Sequence, residues 1–264
     1  MDWLEILNNI YPILISLSLG LSLPLIGVFV ILRREALLPD AISHIILLGI
    51  ALSITFKINP LVGILAFAVL AGLAISLLKN KANLALDAIV GVFFTTSLAL
   101  GSLLIPSEEL LETFLGNIEK LTRGDVLLST VLALIIIISL LVKFRDFAFV
   151  SFAPDLAKVD KINVKKYEIF FVLLLSLGVA MGIKLMGTLL VSALIIVPAA
   201  TAKIFSFQIR PMTGWSMIFG LLSVLVGLGT TTTLNSPPGP TIILISASIF
   251  FLTFVMHSIF RKRN

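Results

Sequence analysis

The sequence predicts an all-α protein, a polytopic transmembrane bundle of about nine helices, and its composition is the first reason. Of the 264 residues, 59% are hydrophobic and 12% are charged, whereas charged residues make up about 25% of a typical soluble domain. The mean hydropathy is +1.17. The apolar residues also form long runs, and a helix needs roughly 20 such residues to cross about 30 Å of hydrocarbon.

Nine apolar runs are candidate spans. Several are short, and short spans are tilted, thin the bilayer or line a wet cavity, so eight spans remain an alternative. The least certain boundary lies at Lys184, between the sixth and seventh runs. The nine runs cover residues 11–32, 41–56, 61–78, 84–105, 127–142, 167–183, 185–200, 213–231 and 241–260.

The basic residues predict how the chain is oriented. With nine spans and the N-terminus outside, fifteen of the 19 lysines and arginines lie on the cytoplasmic side. Cytoplasmic loops of membrane proteins carry such an excess. We therefore predict a multi-pass protein of the cytoplasmic (inner) membrane, with its N-terminus outside and its C-terminus inside.

The composition also excludes several functions. The net charge of +5 comes from short basic groups between apolar runs, which is typical of orientation signals and not of nucleic-acid binding. The chain has no phosphate-binding G-x-x-x-x-G-K-[ST] loop and neither of the hydrolase motifs H-E-x-x-H and G-x-S-x-G. It has two histidines and no cysteine. We therefore expect no enzyme activity, no bound cofactor, and metal ligands limited to His, Asp, Glu and hydroxyl oxygens.

Asp40 and His44 are the candidate metal ligands. They lie four residues apart at the start of the second apolar run, so in a helix both face one side, with Cβ atoms roughly 5–6 Å apart. Carboxylate and imidazole together suit Zn²⁺, Mn²⁺ or Fe²⁺. A carboxylate deep in a membrane is costly and usually faces a pathway, a partner charge or water.

Two other interpretations of this pair remain open. Pro39-Asp40 before an apolar run is also a plausible helix start, in which Asp40 is the N-cap. A buried histidine can simply bond a backbone carbonyl. The cap interpretation gives no reason for His44, and the position of both groups on one face favours metal ligation.

Two hydrophilic segments separate the spans. The outer segment, 106–126, combines four glutamates with leucines at spacings that suit a short amphipathic helix, either a solvated loop or a surface for an extracytoplasmic partner. The inner segment, 143–166, is the longest cytoplasmic stretch. It contains Pro154-Asp155 before Leu156 and Ala157, which predicts a short helix that a soluble subunit can bind.

Several weaker signals complete the pattern. Asp87 is interpreted as a first-turn acid at the start of the fourth span. Three hydroxyl residues either line a pathway or bond neighbouring helices; they are Thr188, Ser192 and Thr201. Three residues of the first span indicate close packing and a kink; they are Gly20, Pro24 and Gly27.

These motifs resemble the integral-membrane permeases of bacterial zinc and manganese ABC importers, along nearly the whole chain. The most specific match is the segment LRREALLPDAISHIILLG at 32–49, similar to the family's Arg-rich turn followed by Asp-Ala-x-Ser-His. A second match is GTLLVSALIIVPAATA at 187–202. Weaker matches are DAIVG at 87–91 and PPGPT at 237–241.

The resemblance implies a type II ABC importer permease. In this family the permease forms a dimer, binds two copies of a separate ATPase and receives metal from an extracytoplasmic binding protein. Carried over by position, Asp40 and His44 are the metal-coordinating pair. The single domain would be 1–264, with a coupling segment at 143–166.

The resemblance also assigns the coupling helix that docks in the ATPase. Its residues here are Pro154, Asp155, Leu156, Ala157 and Ile162. The chain departs from the family pattern at two positions. Ala153 stands where an acidic residue is common, and Lys161 stands where a glycine is common.

We therefore expect the membrane subunit of an ATP-driven importer of Zn²⁺, Mn²⁺ or Fe²⁺. Two ligands are few for zinc, which is usually four-coordinate, and a pathway along a dimer axis would supply Asp40 and His44 twice. One alternative is a permease for a metal chelate such as a siderophore or haem, which needs a wider cavity. The other is a membrane sensor or scaffold subunit without metal flux.

Overall fold

The computed structural model describes residues 10–81, 85–104, 122–206, 208–234 and 236–261. Within these ranges the chain is all α-helix, with no strand. The described residues form ten helices, here numbered α1 to α10. They are α1 (Ile10–Arg33), α2 (Leu38–Thr55), α3 (Pro60–Lys81), α4 (Leu86–Leu104), α5 (Arg123–Val142), α6 (Phe144–Phe152), α7 (Pro154–Val159), α8 (Val164–Phe205), α9 (Ile209–Leu234) and α10 (Pro238–Arg261).

Six helical stretches in the described ranges are long and apolar enough to cross a membrane. Three shorter apolar helices coincide with the first, fourth and seventh predicted spans: Leu17–Arg33, Leu86–Gly101 and Leu190–Phe205. The all-helical bundle is therefore confirmed, whereas the count of nine spans stays a prediction. The predicted outer amphipathic helix falls on 106–126, most of which lies outside the described residues.

Helix α8 contains a reversal that joins the sixth and seventh predicted spans. Gly187 lies inside α8 with φ 81° and ψ 166°, a positive φ that glycine adopts without steric cost. A Cβ placed on Gly182 would collide with the side chain of Val191. In a straight helix, residues nine positions apart lie about 13.5 Å apart along the axis, so the chain must turn back at Gly187.

The two arms of α8 flank the same part of α1. Ile26 lies against Gly178 in the first arm (164–186), and Gly27 lies against the Ile195 carbonyl in the second arm (188–205). The first arm leads away from the coupling segment, and the second arm returns toward that end of the bundle. The predicted boundary near Lys184 thus corresponds to a helical hairpin in the structure.

Helix α1 runs through the centre of the bundle, where seven of its apolar residues between Leu19 and Val30 are fully buried. It packs closely on α9, because a Cβ on Gly20 would lie 3.2 Å from the Cα of Leu221. The Ser216 hydroxyl donates a 2.9 Å hydrogen bond to the Pro24 carbonyl. These contacts confirm the packing role predicted for the small residues and the proline of the first span.

Helices α2 and α3 approach each other at two glycines. A Cβ on Gly49 would lie 2.7 Å from both the Gly63 carbonyl oxygen and the side chain of Phe67. We expect Gly49→Ala to force the helices apart and to destabilise the protein by about 1–3 kcal/mol, the usual cost of overpacking. The measurement is the thermal unfolding midpoint of the purified protein.

The matched control is Gly214→Ala, because a Cβ at that helical position meets nothing within 4 Å. Alanine has the higher helix propensity, so this variant should unfold at or slightly above the native temperature. Equal midpoints for the two variants would contradict the close crossing of α2 and α3.

Candidate metal centre

Asp40 and His44 both lie on α2, one helical turn apart. The helix begins at Leu38 with Pro39 in its first turn, and its N-cap is Leu37, which makes no side-chain cap hydrogen bond. Asp40 is the third helical residue, so the interpretation of Asp40 as the N-cap is wrong. Its carboxylate still benefits from the positive end of the helix dipole, but that effect gives no role to His44.

The two side chains differ in exposure. Asp40 is half-buried, whereas His44 is 6% exposed. The His44 ring packs edge-on against Phe94 of α4, with 4.5 Å between ring centroids. This contact restricts the imidazole to one side of α2, on the same helical face as the carboxylate one turn earlier.

Ser192 also belongs to this site. Its hydroxyl donates a 3.0 Å hydrogen bond to Oδ1 of Asp40, across a separation of 152 residues. The hairpin of α8 makes the contact, because the second arm returns alongside α2. Of the other two hydroxyl candidates, Thr201 donates to the Val197 carbonyl of its own helix and Thr188 is buried.

The donor count limits what one copy of the chain can hold. Within the described ranges, no group of three or more His, Cys, Asp or Glu side chains comes together. The pair therefore supplies one carboxylate and one imidazole, with the Ser192 hydroxyl beside the carboxylate. Such a set can bind a divalent transition metal weakly, and it needs further donors for a complete shell.

A cluster of charges surrounds the turn that precedes α2. Glu35 in this turn is 6% exposed, and Oε1 accepts a 2.7 Å hydrogen bond from Nζ of Lys79 on α3. The same ammonium lies 3.5 Å from Oε1 of Glu168 on α8. Sequence reasoning missed this cluster because it treated Lys79 as an orientation signal and gave Glu35 no role.

Arg33 links this turn to the inner segment. Its Nε donates a 2.9 Å hydrogen bond to Oγ of Ser151 on α6. Its guanidinium carbon lies 4.1 Å from the centroid of the Phe171 ring, a cation–π arrangement. Since Ser151 lies three residues before Pro154, the Arg-rich turn contacts the helix that leads directly into α7.

Helix α7 forms where the Pro-Asp motif predicts it. Leu156 is 60% exposed, whereas Ala157 is fully buried and its carbonyl accepts the backbone N–H of Ile162. Ala157 thus lies on the buried side of α7, and Leu156 is available to a partner. Lys161 has φ 58°, a left-handed backbone conformation that is strained for a lysine and that glycine adopts without steric cost. This backbone geometry explains why a glycine suits position 161.

Two other titratable residues, Asp87 and His257, lie away from the pair of Asp40 and His44. Asp87 lies in the first turn of α4 and is exposed, which confirms its interpretation as a first-turn acid. His257 lies on the exposed surface near the end of α10. Neither of them joins the group formed by Asp40, His44 and Ser192.

Comparison with known proteins adds independent information. A family described as the ABC 3 transport family matches residues 6–257. The chain is 32% identical over 244 residues to "Manganese transport system membrane protein MntC" of Listeria monocytogenes, covering 91% of this chain and 87% of that protein. It is 28% identical over 250 residues to "High-affinity zinc uptake system membrane protein ZnuB" of Haemophilus influenzae, covering 92% and 96%.

A solved structure shares the fold. PsaBC from Streptococcus pneumoniae, in complex with Fab, superimposes with a TM-score of 0.81 at 30% sequence identity, covering 92% of this chain and 89% of that chain. The similarity therefore extends over the whole helical bundle and is not confined to the Asp-Ala-Ile-Ser-His motif.

Proposed function

Because the chain belongs to the ABC 3 transport family, we propose that it is the membrane permease subunit of an ATP-driven importer of a divalent transition metal ion. The cargo is Zn²⁺, Mn²⁺ or Fe²⁺, and relatives are named as manganese and zinc transport proteins. The observation that carries the proposal is the pair of Asp40 and His44 on one face of α2, with the Asp40 carboxylate bonded to Ser192.

The transport site is completed by a second copy of the chain. Each copy brings Asp40 and His44, and no third His, Cys, Asp or Glu joins them among the described residues. A homodimer with the pathway along its axis would supply four ligands, the usual number for zinc. A shell shared between two copies also releases its ion more readily than a closed cage, as transport requires.

Two copies of a separate ATPase bind the cytoplasmic face at α7. Leu156 and Val159 are exposed apolar residues on this helix, and the exposed Asp155 and Lys158 pair with each other at 2.9 Å. An extracytoplasmic binding protein delivers the metal on the opposite side. The chain lies in the cytoplasmic membrane with its N-terminus outside, as the basic residues indicate.

Transport proceeds by alternating access. Closure of the ATPases on ATP displaces α7 and the end of α6 next to it. Arg33 receives this movement through Ser151, because the two side chains are hydrogen-bonded. The turn that follows Arg33 leads directly into α2, so the displacement reaches Asp40 and His44 and opens or closes the ion pathway.

Elemental analysis of cells tests this function. Cells that express the chain with its ATPase and binding protein should accumulate one of Zn, Mn and Fe above cells without the permease. An ATPase partner that cannot hydrolyse ATP should remove the accumulation. Uptake of labelled haem or siderophore without free metal would favour the chelate permease, and partner binding without any uptake would favour the sensor or scaffold.

The coupling role of α7 has its own test. We expect Leu156→Asp to weaken binding of the ATPase by about tenfold or more, because an apolar contact residue becomes charged. Co-purification of the ATPase and metal accumulation should both fall, whereas metal binding to the purified permease should not change.

The control is Lys203→Asp, which places a carboxylate on an exposed residue outside the coupling segment. It should retain the ATPase. If both variants retain the ATPase and transport normally, Leu156 does not form part of the docking surface.

A further inference from the structure

The hydroxyl of Ser192 makes an unusual contact for a serine in an apolar helix. Three other buried serines of this chain donate to the carbonyl four residues earlier in their own helix: Ser22 to Ser18, Ser53 to Gly49 and Ser223 to Phe219. This is the ordinary behaviour of serine in such helices. Ser192 instead donates across the bundle to a carboxylate.

The partner of that hydrogen bond is a charged group of the proposed transport site. A hydrogen bond from a hydroxyl to a carboxylate is stronger than one between neutral groups. It fixes Oδ1 of Asp40 at 3.0 Å from Oγ of Ser192, and thereby fixes the direction of Oδ2. His44 is held separately by its edge-on contact with Phe94, so each of the two candidate ligands has its own orienting neighbour.

We propose that Ser192 is a positioning residue of the metal site, which orients the Asp40 carboxylate for the transported ion. The inference rests on the proposed function and deepens it by naming a residue that tunes metal affinity. Mutation of a neighbour that orients a metal ligand typically lowers the affinity for the metal 10–100-fold. The position of Ser192 on the second arm of α8 also gives this arm a direct bond to the ion-binding helix.

Because Ser192 lies beyond the reversal at Gly187, its hydrogen bond to Asp40 also connects the second arm of α8 to α2. The second arm carries Ser192, and the first arm carries Glu168, which approaches the Lys79–Glu35 pair beside α2. Helix α2 is thus held to α8 from two sides, through Asp40 and through the charge cluster before its first turn. An ion that binds Asp40 changes the charge to which Ser192 donates, so ion binding also alters the hydrogen bond that holds the second arm of α8.

Metal binding to the purified full-length permease, in nanodiscs with its ATPase, tests this inference. Affinities for Zn²⁺ and for Mn²⁺ are measured by competition with a chromophoric chelator. We expect Ser192→Ala to bind both ions 10–100-fold more weakly, and Ser192→Thr, which keeps the hydroxyl, to bind within about threefold of the native protein. Ser223→Ala, which removes a buried hydroxyl that bonds only its own helix, should leave both affinities unchanged.

The outcomes separate this inference from the proposed function. If Ser192→Ala binds as the native permease does while Asp40→Ala loses binding, the positioning role is overturned and the metal site stands. If the native permease binds neither ion, the positioning role and the metal site fail together. Equal unfolding midpoints for Ser192→Ala and Ser223→Ala, with a loss of affinity only in the first, would support a role specific to the metal.

Discussion

Replacing Asp40 and His44 together by alanine is expected to abolish metal accumulation by cells that express the complete importer. The two side chains supply the only carboxylate and imidazole that the described residues bring to this face of α2. Without them the pathway offers hydroxyl and backbone oxygens, which suit transition metals poorly. We expect uptake to fall at least about 100-fold, since loss of a ligand should cost no less than loss of its orienting neighbour.

The single variants separate the two contributions. Asp40→Asn keeps the shape of the side chain and its capacity to accept from Ser192 but removes the charge, so uptake should fall although the fold is kept. His44→Ala removes the imidazole and also leaves a gap against Phe94. Its unfolding midpoint must therefore be measured together with its uptake.

A matched control is available in the same chain. Asp87 is also a first-turn acid of an apolar helix and is exposed. Asp87→Asn should lose only the helix-dipole contribution of about 0.3–1 kcal/mol and should transport normally. If Asp40→Ala/His44→Ala accumulates metal as the native permease does at equal membrane expression, Asp40 is a first-turn acid and His44 a packed histidine.

The sequence was sufficient to predict the helices that matter for this site. Helix α2 extends over Leu38–Thr55, within three residues of the apolar run at 41–56, because long apolar runs specify helices strongly. The Pro-Asp motif likewise predicted α7. Both signals are local, and local signals determine where a helix begins and ends.

Contacts between distant segments could not be predicted in this way. The bond from Ser192 to Asp40 depends on the reversal at Gly187, and a glycine within an apolar run indicates neither its backbone angles nor the direction of the chain beyond it. The ion pair of Glu35 with Lys79 spans 44 residues. Positive charges near span ends serve both as orientation signals and as pairing partners, and a sequence does not distinguish the two roles.

Lys79→Met is expected to be the most destabilising substitution at this end of the bundle. It would leave the Glu35 carboxylate, which is 6% exposed, without the ammonium 2.7 Å away. Removing one partner of a buried ion pair typically costs 3–5 kcal/mol, because the remaining charge is desolvated and uncompensated. Lys79 itself is 29% exposed, and the charge of Glu35 also interacts with Arg33, so we expect a loss of about 3 kcal/mol, near the lower end of this range.

The measurement is the unfolding midpoint of the purified permease, and two further variants make the result specific. Lys158→Met removes an ion pair of similar length, 2.9 Å to Asp155, whose side chains are 64% and 90% exposed; such surface pairs contribute about 0–1 kcal/mol. Glu35→Leu/Lys79→Met removes both charges and should recover part of the stability, since a buried pair is often replaced by apolar groups without loss, but the guanidinium of Arg33 also loses its interaction with the charge of Glu35.

The double variant also tests whether this cluster acts on transport. The turn that carries Glu35 leads from Arg33 into α2. If the charges of Glu35 and Lys79 only stabilise the fold, a double variant that regains stability should transport as the native protein does. A stable double variant that binds metal but does not transport would show that the Glu35–Lys79 pair takes part in passing movement from α7 to the site. Equal destabilisation by Lys79→Met and Lys158→Met would instead contradict the burial of Glu35 on which the expectation rests.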